Sequence, residues 1–304
     1  MELSQLDIFL AVATEKSFSR AAQRLLRTQP AVSLAVQKLE AELGEKLVDR
    51  SLKDGTLTDA GKIVLEYARK FQNLRRDLHN ALIELRDNHT GRLIIGANES
   101  GIIYLLRHVH TFRHLYPGVK VEIRRSLSSQ IPNDVLNNAV ELGVISYEPA
   151  DRSLHSLVIY TDHLAFIIYP GHRLAGRRQA SIKELAAETF MAHNVVSPYR
   201  QMVLRAFQKH HVPLNMDVEM PTLEAIKKAV QLRMGVAFLP RMVVEQELEA
   251  GTLLEVPVKE LRVERKIRLV HPGRRELSHA ARAFLDLVRR SGAVEESAAA
   301  ATAP

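Results

Sequence analysis

The chain has no cysteine among its 304 residues, which excludes disulfides, zinc–thiolate sites and cysteine nucleophiles. It also lacks an apolar run of about 18 residues, so we expect no transmembrane helix. The N-terminus contains the acidic residues Glu2 and Asp7 and no basic segment, which argues against a secretory signal. We therefore expect a cytoplasmic protein with no membrane partner.

The sequence patterns of several enzyme classes are also missing. GxSxG, GxxxxGK[ST], HExxH and GxGxxG do not occur, so hydrolase, P-loop, zincin and dinucleotide-binding functions find no support. His108, His110 and His114 lie near one predicted helix, but the first two point to different faces, and we interpret all three as exposed side chains rather than metal ligands. We expect no catalytic residue, no metal and no cofactor.

The totals indicate an ordinary globular protein of two or three domains, with 46% hydrophobic and 25% charged residues. The net charge is +7, but the local arrangement of charge matters more for phosphate contact. Near the N-terminus a basic group occurs without an intervening acid: Lys16, Arg20, Arg24, Arg27 and Lys38. This arrangement is compatible with binding to nucleic acid.

Two short amphipathic segments near the N-terminus are separated by a polar break at Arg27 and Thr28. Apolar residues recur at helical spacing on both sides: Ala21, Ala22 and Leu25 before the break, and Val32, Val36 and Leu39 after it. The pattern predicts a helix-turn-helix, whose second helix can lie in the major groove of DNA. We expect Ser19 and Thr28 to be the N-caps, and Pro30 fits the first turn of the second helix.

The second of these helices has a polar face opposite its apolar stripe. Gln29, Ser33 and Gln37 are spaced at i, i+4 and i+8. A glutamine amide matches adenine N6 and N7, a serine can reach a base or a phosphate, and the neighbouring Leu34 can touch a thymine methyl group. The alternative, a solvated helix face with one apolar residue, stays open at this point because the motif is only moderately specific.

Residues 47–57 are predicted to form two short strands around a turn, a wing in which Arg50 and Lys53 are placed for backbone or minor-groove contact. Thr58 should then cap a helix that runs to about Asn88. Its apolar positions alternate in steps of four and three: Ala60, Val64, Tyr67, Phe71, Leu74, Leu78, Ala81 and Leu85. This spacing predicts a two-helix coiled-coil dimer, with packing on the helix's own domain as the alternative.

From Arg92 onward the pattern alternates between strands and helices. A βαβαβ order spans residues 92–145, with its second helix at 129–139. A second α/β unit follows, with its first strand near 163–169, and the last helix is expected from Ser278 to about Arg290. Two doubly wound α/β lobes would leave a crevice at the carboxyl ends of their strands, where small ligands bind. Residues 295–304 are of low complexity, and we expect them to be disordered.

Polar residues at the predicted helix starts are candidates for ligand binding, because helix N-termini attract anions. They are Ser100, Gly101, Ser128, Ser129, Asn194, Ser197, Tyr199, Arg200 and Thr222. Hydroxyls, one arginine and helix dipoles together would suit a carboxylate. Plain N-capping is the alternative for each of them.

With its domains in this order, the chain resembles the LysR-type transcriptional regulators. The residues that carry the resemblance are LDIFLAVATEKSFSRAAQRL, TQPAVSLAVQKLEAELGEKLVDR and LTDAG at 57–61. It covers about residues 1–291. It implies a winged helix-turn-helix over 1–58, a linker helix over 59–90, and a periplasmic-binding-protein-like domain over 91–294, with lobe I at about 91–161 and 268–291 and lobe II at about 162–267.

The resemblance also implies roles for individual residues. Base and phosphate contacts would come from Gln29, Pro30, Ser33, Leu34, Arg50 and Lys53, and Ser100 and Ser128 would contact an inducer. Three residues depart from the family pattern. Leu34 stands where a polar or basic residue is common, Glu141 stands where Asp is usual, and Glu99 places an acid at the cleft that disfavours an anionic ligand unless it points away.

We therefore predict a ligand-responsive, sequence-specific DNA-binding regulator, which the family resemblance makes both an activator and an autorepressor. The expected partners are double-stranded promoter half-sites, a small-molecule inducer such as a carboxylate, further copies of the chain in a homodimer or homotetramer, and RNA polymerase. Inducer binding would change the tetramer's shape and the DNA bend. The alternatives are a constitutive architectural DNA-binding protein and a small-molecule-binding α/β protein without a DNA role.

Overall fold

The computed structural model describes residues 1–49, 56–86, 90–195, 197–274 and 276–301. The chain divides into two compact units, one formed mainly by the residues before Arg92 and the other by nearly all the residues after it. Of the helices described, none is long and apolar enough to cross a membrane.

The first unit is helical, with α1 (Leu3–Glu15), α2 (Phe18–Arg24), α3 (Gln29–Leu43) and α4 (Asp59–Arg86). Phe9, Val36 and Leu39 are among the fully buried side chains of its core. The predicted cap of α2 is wrong by two residues. The Ser17 hydroxyl accepts the N–H of Arg20, because Ser17 has the extended backbone that an N-cap needs, whereas Ser19 already lies inside the helix.

The segment between α3 and α4 begins and ends in a short antiparallel pairing. Val48 and Leu57 form a β-bridge, and residues 50–55 between them lie outside the described residues. The Thr58 hydroxyl accepts the N–H of Gly61 at 2.9 Å and caps α4, as predicted. Gly61 is required here, because a Cβ at this position would lie 2.0 Å from the Leu47 carbonyl oxygen.

The second unit alternates strands and helices, and its first part has the expected βαβαβ order. Its elements are β1 (Gly91–Ala97), α5 (Glu99–Leu115), β2 (Val119–Arg125), α6 (Ile131–Leu136), β3 (Leu142–Ile145), β4 (Leu154–Ile168), a 3₁₀ turn (Ile182–Leu185), β5 (Thr189–His193), α7 (Pro198–Lys209), β6 (Asn215–Met220), α8 (Leu223–Gln231), β7 (Ala237–Pro240), a second 3₁₀ turn (Arg241–Val243), α9 (Glu245–Glu249), β8 (Leu254–Glu255), β9 (Glu264–Pro272) and α10 (His279–Ala301).

Two long antiparallel strands join the two halves of this unit. The main sheet has the order β2-β1-β3-β9-β4-β7, with β8 paired to β4. β4 and β9 pair from Leu154 and Pro272 to His163 and Glu264, and β4 then continues alongside β7 and β8. We call the part around β1–β3 lobe I and the part around β5–β8 lobe II. The strand predicted near 163–169 therefore starts nine residues earlier, at Leu154, because its first part pairs in lobe I.

Two helices of the second unit differ in length from the prediction. α6 is shorter than the expected 129–139, because Asn138 has a left-handed backbone (φ +57°) that a helix cannot continue through. α10 continues to Ala301, so its backbone is helical over most of the segment expected to be disordered. The alanines of that segment are strong helix formers, which explains the difference.

Candidate functional site

The polar face of α3 is available to a partner. Gln29, Pro30 and Gln37 are exposed and Ser33 is half-buried, whereas Val32 and Val36 on the opposite face are fully buried. Leu34 is 53% exposed beside the polar residues. Thr28 caps the helix by accepting the N–H of Ala31, and Pro30 occupies the first turn, as predicted. The two wing candidates, Arg50 and Lys53, lie outside the described residues.

A carboxylate that the sequence pattern did not single out lies on the opposite, buried face of α3. Glu40 is buried, and its Oε1 accepts the backbone N–H groups of Leu47 and Val48 at 2.9 and 3.3 Å. Lys46 Nζ lies 3.5 Å from the same carboxylate. The signal was present, since Glu40 falls eight residues after Val32 on the buried stripe, where an acid needs partners.

The apolar face of α4 is largely uncovered within the first unit. Tyr67, Phe71, Leu74 and Leu78 are exposed. Val64 is half-buried and packs on the core of its own unit, so the alternative of intradomain packing describes this part of the helix, and the coiled-coil seam stays a prediction. The side chain of Leu85 lies outside the described residues. Ile63 and Leu82, which were not predicted, are also exposed.

A cavity of about 650 Å³ lies between the two lobes of the second unit. It brings together seven of the predicted ligand-binding residues: Ser100, Ser128, Ser129, Asn194, Ser197, Tyr199 and Arg200. Gly101 and Thr222 are not among its lining residues. Gly101 is a buried residue that donates its N–H to the Asn98 side chain, and the Thr222 hydroxyl caps α8 by accepting the N–H of Ala225.

A buried arginine in the cavity wall was not predicted. Arg265 stands opposite Asp162 in the β4–β9 ladder and is 3% exposed. Its Nη1 lies 2.7 Å from Asp162 Oδ2, its Nη2 donates to the Ser100 hydroxyl at 3.3 Å, and its guanidinium lies 4.8 Å from the centre of the Tyr199 ring. Burial raises the pKa of Asp162, and the charge of Arg265 acts in the opposite direction. A local signal was present, since Arg265 alternates with Val263, Ile267 and Leu269 on the buried face of this segment, where an arginine needs partners.

Arg200, the arginine predicted to bind ligand, already has hydrogen-bond partners within the protein. Arg200 donates to the carboxylate of Glu219 and to the carbonyl oxygen of His193. Tyr199, beside it, donates its hydroxyl to the carbonyl of Ser146 and so links lobe II to lobe I. The pattern of residues at the helix start correctly placed Arg200 at the cavity but gave no indication of Glu219 on β6.

Glu99, the acid that the sequence placed at the cleft, is held by donors from both lobes. Its Oε1 accepts the N–H of Leu223 at the start of α8 at 2.9 Å. Its Oε2 lies 3.4 Å from Arg125 Nη2 and 3.5 Å from His193 Nε2. A helix N-terminus and an arginine therefore compensate the charge of Glu99.

The interpretation of the three histidines is wrong for one of them. His110 and His114 are exposed, but His108 is buried against Tyr104, with ring centres 4.9 Å apart. Burial, with a smaller contribution from Arg107, lowers the pKa of His108 to about 4. Among the described residues there is no cluster of three or more His, Asp or Glu side chains that would hold a metal.

An N-terminal helix-turn-helix followed by a bilobal α/β unit with an internal cavity defines a class of transcriptional regulators. Residues 3–62 match the family of bacterial regulatory helix-turn-helix proteins of the lysR type, and residues 86–293 match the LysR substrate binding domain. The chain belongs to the LysR family of transcriptional regulators, as the resemblance indicated, and it is not an enzyme.

Individual relatives agree with this assignment. The probable RuBisCO transcriptional regulator of Synechocystis is 34% identical over 290 residues, covering 93% of this chain and 84% of the relative. Among solved structures, CbnR in complex with its target DNA has a TM-score of 0.75 at 20% identity, covering 96% of this chain and all of the other. The Synechocystis CcmR regulatory domain in complex with 2-PG has a TM-score of 0.60 at 25% identity, covering 65% and 95%.

Proposed function

We propose that this regulator reads promoter DNA with α3 and changes its binding when a small molecule occupies the cavity between its lobes. The observation that carries the proposal is that the polar face of α3, with Gln29 and Gln37 exposed, is free in a chain that also contains a cavity of ligand size. That CbnR was solved with its target DNA and CcmR with 2-PG supports both halves of the proposal.

Base contacts are assigned to Gln29, Ser33, Leu34 and Gln37, and Pro30 positions the start of the helix. Each glutamine can pair with adenine in the major groove, and a good bidentate pair discriminates by about 1–3 kcal/mol. The wing residues Arg50 and Lys53 are assigned to the phosphate backbone, where contacts position the protein without reading sequence.

Dimerisation is assigned to the exposed face of α4, formed by Tyr67, Phe71, Leu74 and Leu78, with Leu85 continuing the heptad pattern. Two chains joined there present two copies of α3 to one palindromic site. Two such dimers form a tetramer, and closure of the lobes around an inducer changes its shape and the bend of the bound DNA. The constitutive architectural alternative leaves the cavity without a role.

The test begins with genomic fragments captured by the full-length protein and sequenced. Gln29→Ala and Ser33→Ala should each weaken binding to the captured sites about tenfold, with non-specific binding unchanged. Gln201→Ala is the matched control, because Gln201 is an exposed glutamine on α7 that does not line the cavity. An unchanged set of captured fragments in both α3 variants would refute the assignment of the reading face.

A further inference from the structure

The cavity has two walls of different chemistry. Lobe I contributes mainly polar side chains, which are Asn98, Ser100, Ser126, Ser128 and Ser129. Lobe II contributes mainly apolar ones, among them Leu164, Phe190, Met191, Val203, Met216 and Phe238, together with polar residues at and before the start of α7, among them Asn194 and Ser197. A ligand that fits both walls must itself have a polar end and an apolar end.

The polar wall contains an unused hydrogen-bond donor at Arg265. The Nε of this buried guanidinium has no hydrogen-bond partner within the described part of the chain, and a buried donor without a partner is costly. Nε and Nη2 form the edge of a guanidinium that receives a carboxylate in bidentate geometry. The ion pair of Arg265 with Asp162 uses Nη1 and leaves this edge open, with only a long 3.3 Å contact from Nη2 to the Ser100 hydroxyl.

The apolar wall is the surface of the lobe II core. Phe190 and Phe238 stack with ring centres 5.5 Å apart and planes 3° from parallel. Phe190 and Val203 are buried members of that core, and Leu164 and Met216 pack against it. These apolar side chains offer no partner to a second charged group, which would lose its hydration against them without compensation.

Resting on the proposed function of the cavity, we infer that its ligand is an amphiphilic monocarboxylate. The carboxylate lies at Arg265 and Ser100, and the hydrocarbon part lies against Phe190, Phe238 and Met216. A cavity of about 650 Å³ accommodates an apolar body of about six to ten carbon atoms beside the head group. Small, doubly charged acids would leave the apolar wall in contact with water.

The inference is tested on the full-length protein with four probes: 3-phenylpropionate, its methyl ester, acetate and 2-PG. 3-Phenylpropionate should bind at least tenfold more tightly than each of the others. At 100 times its Kd it should raise the Tm by about 5 °C. Met216→Ser should weaken its binding about fivefold without affecting acetate. Met202→Ser should change nothing, because Met202 is exposed and does not line the cavity.

The Arg265→Lys variant tests the contact to the carboxylate head group separately from the contacts to the hydrocarbon body. Lysine keeps the charge beside Asp162 but loses the bidentate edge, so the preference for the acid over its methyl ester should fall about tenfold. If the variant proves unstable, the comparison of acid and ester on the wild-type protein decides the same point. Equal binding of acid and ester, tighter binding of 2-PG or acetate, or no binding of 3-phenylpropionate at 10 mM would each overturn the inference.

Different outcomes would refute the proposed function and the ligand class. If 3-phenylpropionate binds as expected but leaves the affinity, footprint and bend of the captured DNA unchanged, the ligand class is right and the regulatory role of the cavity is wrong. If 2-PG binds best and changes the footprint, the regulatory role stands and the amphiphilic ligand is wrong.

Discussion

Glu40, on α3, accepts the backbone N–H of Leu47 at 2.9 Å and that of Val48 at 3.3 Å while itself being 2% exposed. The carboxylate therefore ties the helix proposed to read DNA to the start of the wing. Leu47 in turn lies against the first turn of α4, where its carbonyl accepts the N–H of Thr58 at 3.1 Å. One side chain thus connects the end of α3 to the segment that leads into the linker helix.

Replacing Glu40 with alanine should destabilise the first unit by about 2–3 kcal/mol, because two buried N–H groups lose their acceptor. Glu45→Ala removes an exposed acid just after the same helix and should change stability by less than about 0.5 kcal/mol. Urea denaturation followed by circular dichroism measures both. Equal effects of the two substitutions would show that the buried hydrogen bonds do not matter.

Leu26, between α2 and α3, has a left-handed backbone (φ +54°) and is 95% exposed. A non-glycine residue in this conformation is strained by about 1–2 kcal/mol, and the exposed side chain recovers little of that by burial. Leu26→Gly should therefore stabilise the protein by about 1 kcal/mol in chemical denaturation.

Leu232 supplies the matched control for Leu26. It also follows a helix and is 73% exposed, but its φ is −78°. Leu232→Gly should destabilise by about 0.5–1 kcal/mol, because glycine loses more backbone entropy on folding. Opposite signs at the two positions identify the left-handed backbone as the cause, and the same sign at both would exclude it.

Leu78 is an exposed apolar residue on the face of α4 proposed for dimerisation. Leu78→Glu should place like charges at the seam and shift the protein toward monomer at micromolar concentration, as measured by analytical ultracentrifugation. Gln72→Glu adds the same charge beside the seam on an exposed residue and should preserve assembly. If the Leu78→Glu variant assembles like the wild type, the dimer interface does not lie on this face of α4.

His108 should make stability depend on pH. Its pKa in the folded protein is lowered to about 4 from the usual 6.5, mainly by burial. Between pH 6.5 and about 4, His108 is protonated in the unfolded state but neutral in the folded state. Stability should therefore be unaffected above pH 6.5 and fall as the pH is lowered toward 4, by up to about 1.4 kcal/mol per pH unit.

His108→Gln should flatten this part of the stability profile, measured by urea denaturation at several pH values. His79→Gln, which replaces an exposed histidine on α4, should leave the profile as it is. If the wild type and His108→Gln lose stability equally between pH 6.5 and 4, another group is responsible.

The local elements followed from the sequence because their signals are local. The stripe of Val32, Val36 and Leu39 predicted α3, Thr28 predicted its start, and Thr58 predicted the start of α4. These signals act over one or two turns of the chain. The cap of α2 was misplaced because two serines two residues apart both suit the role, and only the backbone conformation selects Ser17.

The sequence by itself determined the order of the elements and the family, because helix caps, apolar periods and the helix-turn-helix motif lie within short contiguous segments. Only the tertiary structure decided which side chains share the cavity and which of them already have a partner within the protein. Arg265 donates a hydrogen bond to Ser100, which lies 165 positions earlier in the chain. Arg200 on α7 pairs with the carboxylate of Glu219 on β6. Hydrogen bonds between residues far apart in the chain form only once the strands are paired, and no local pattern encodes them.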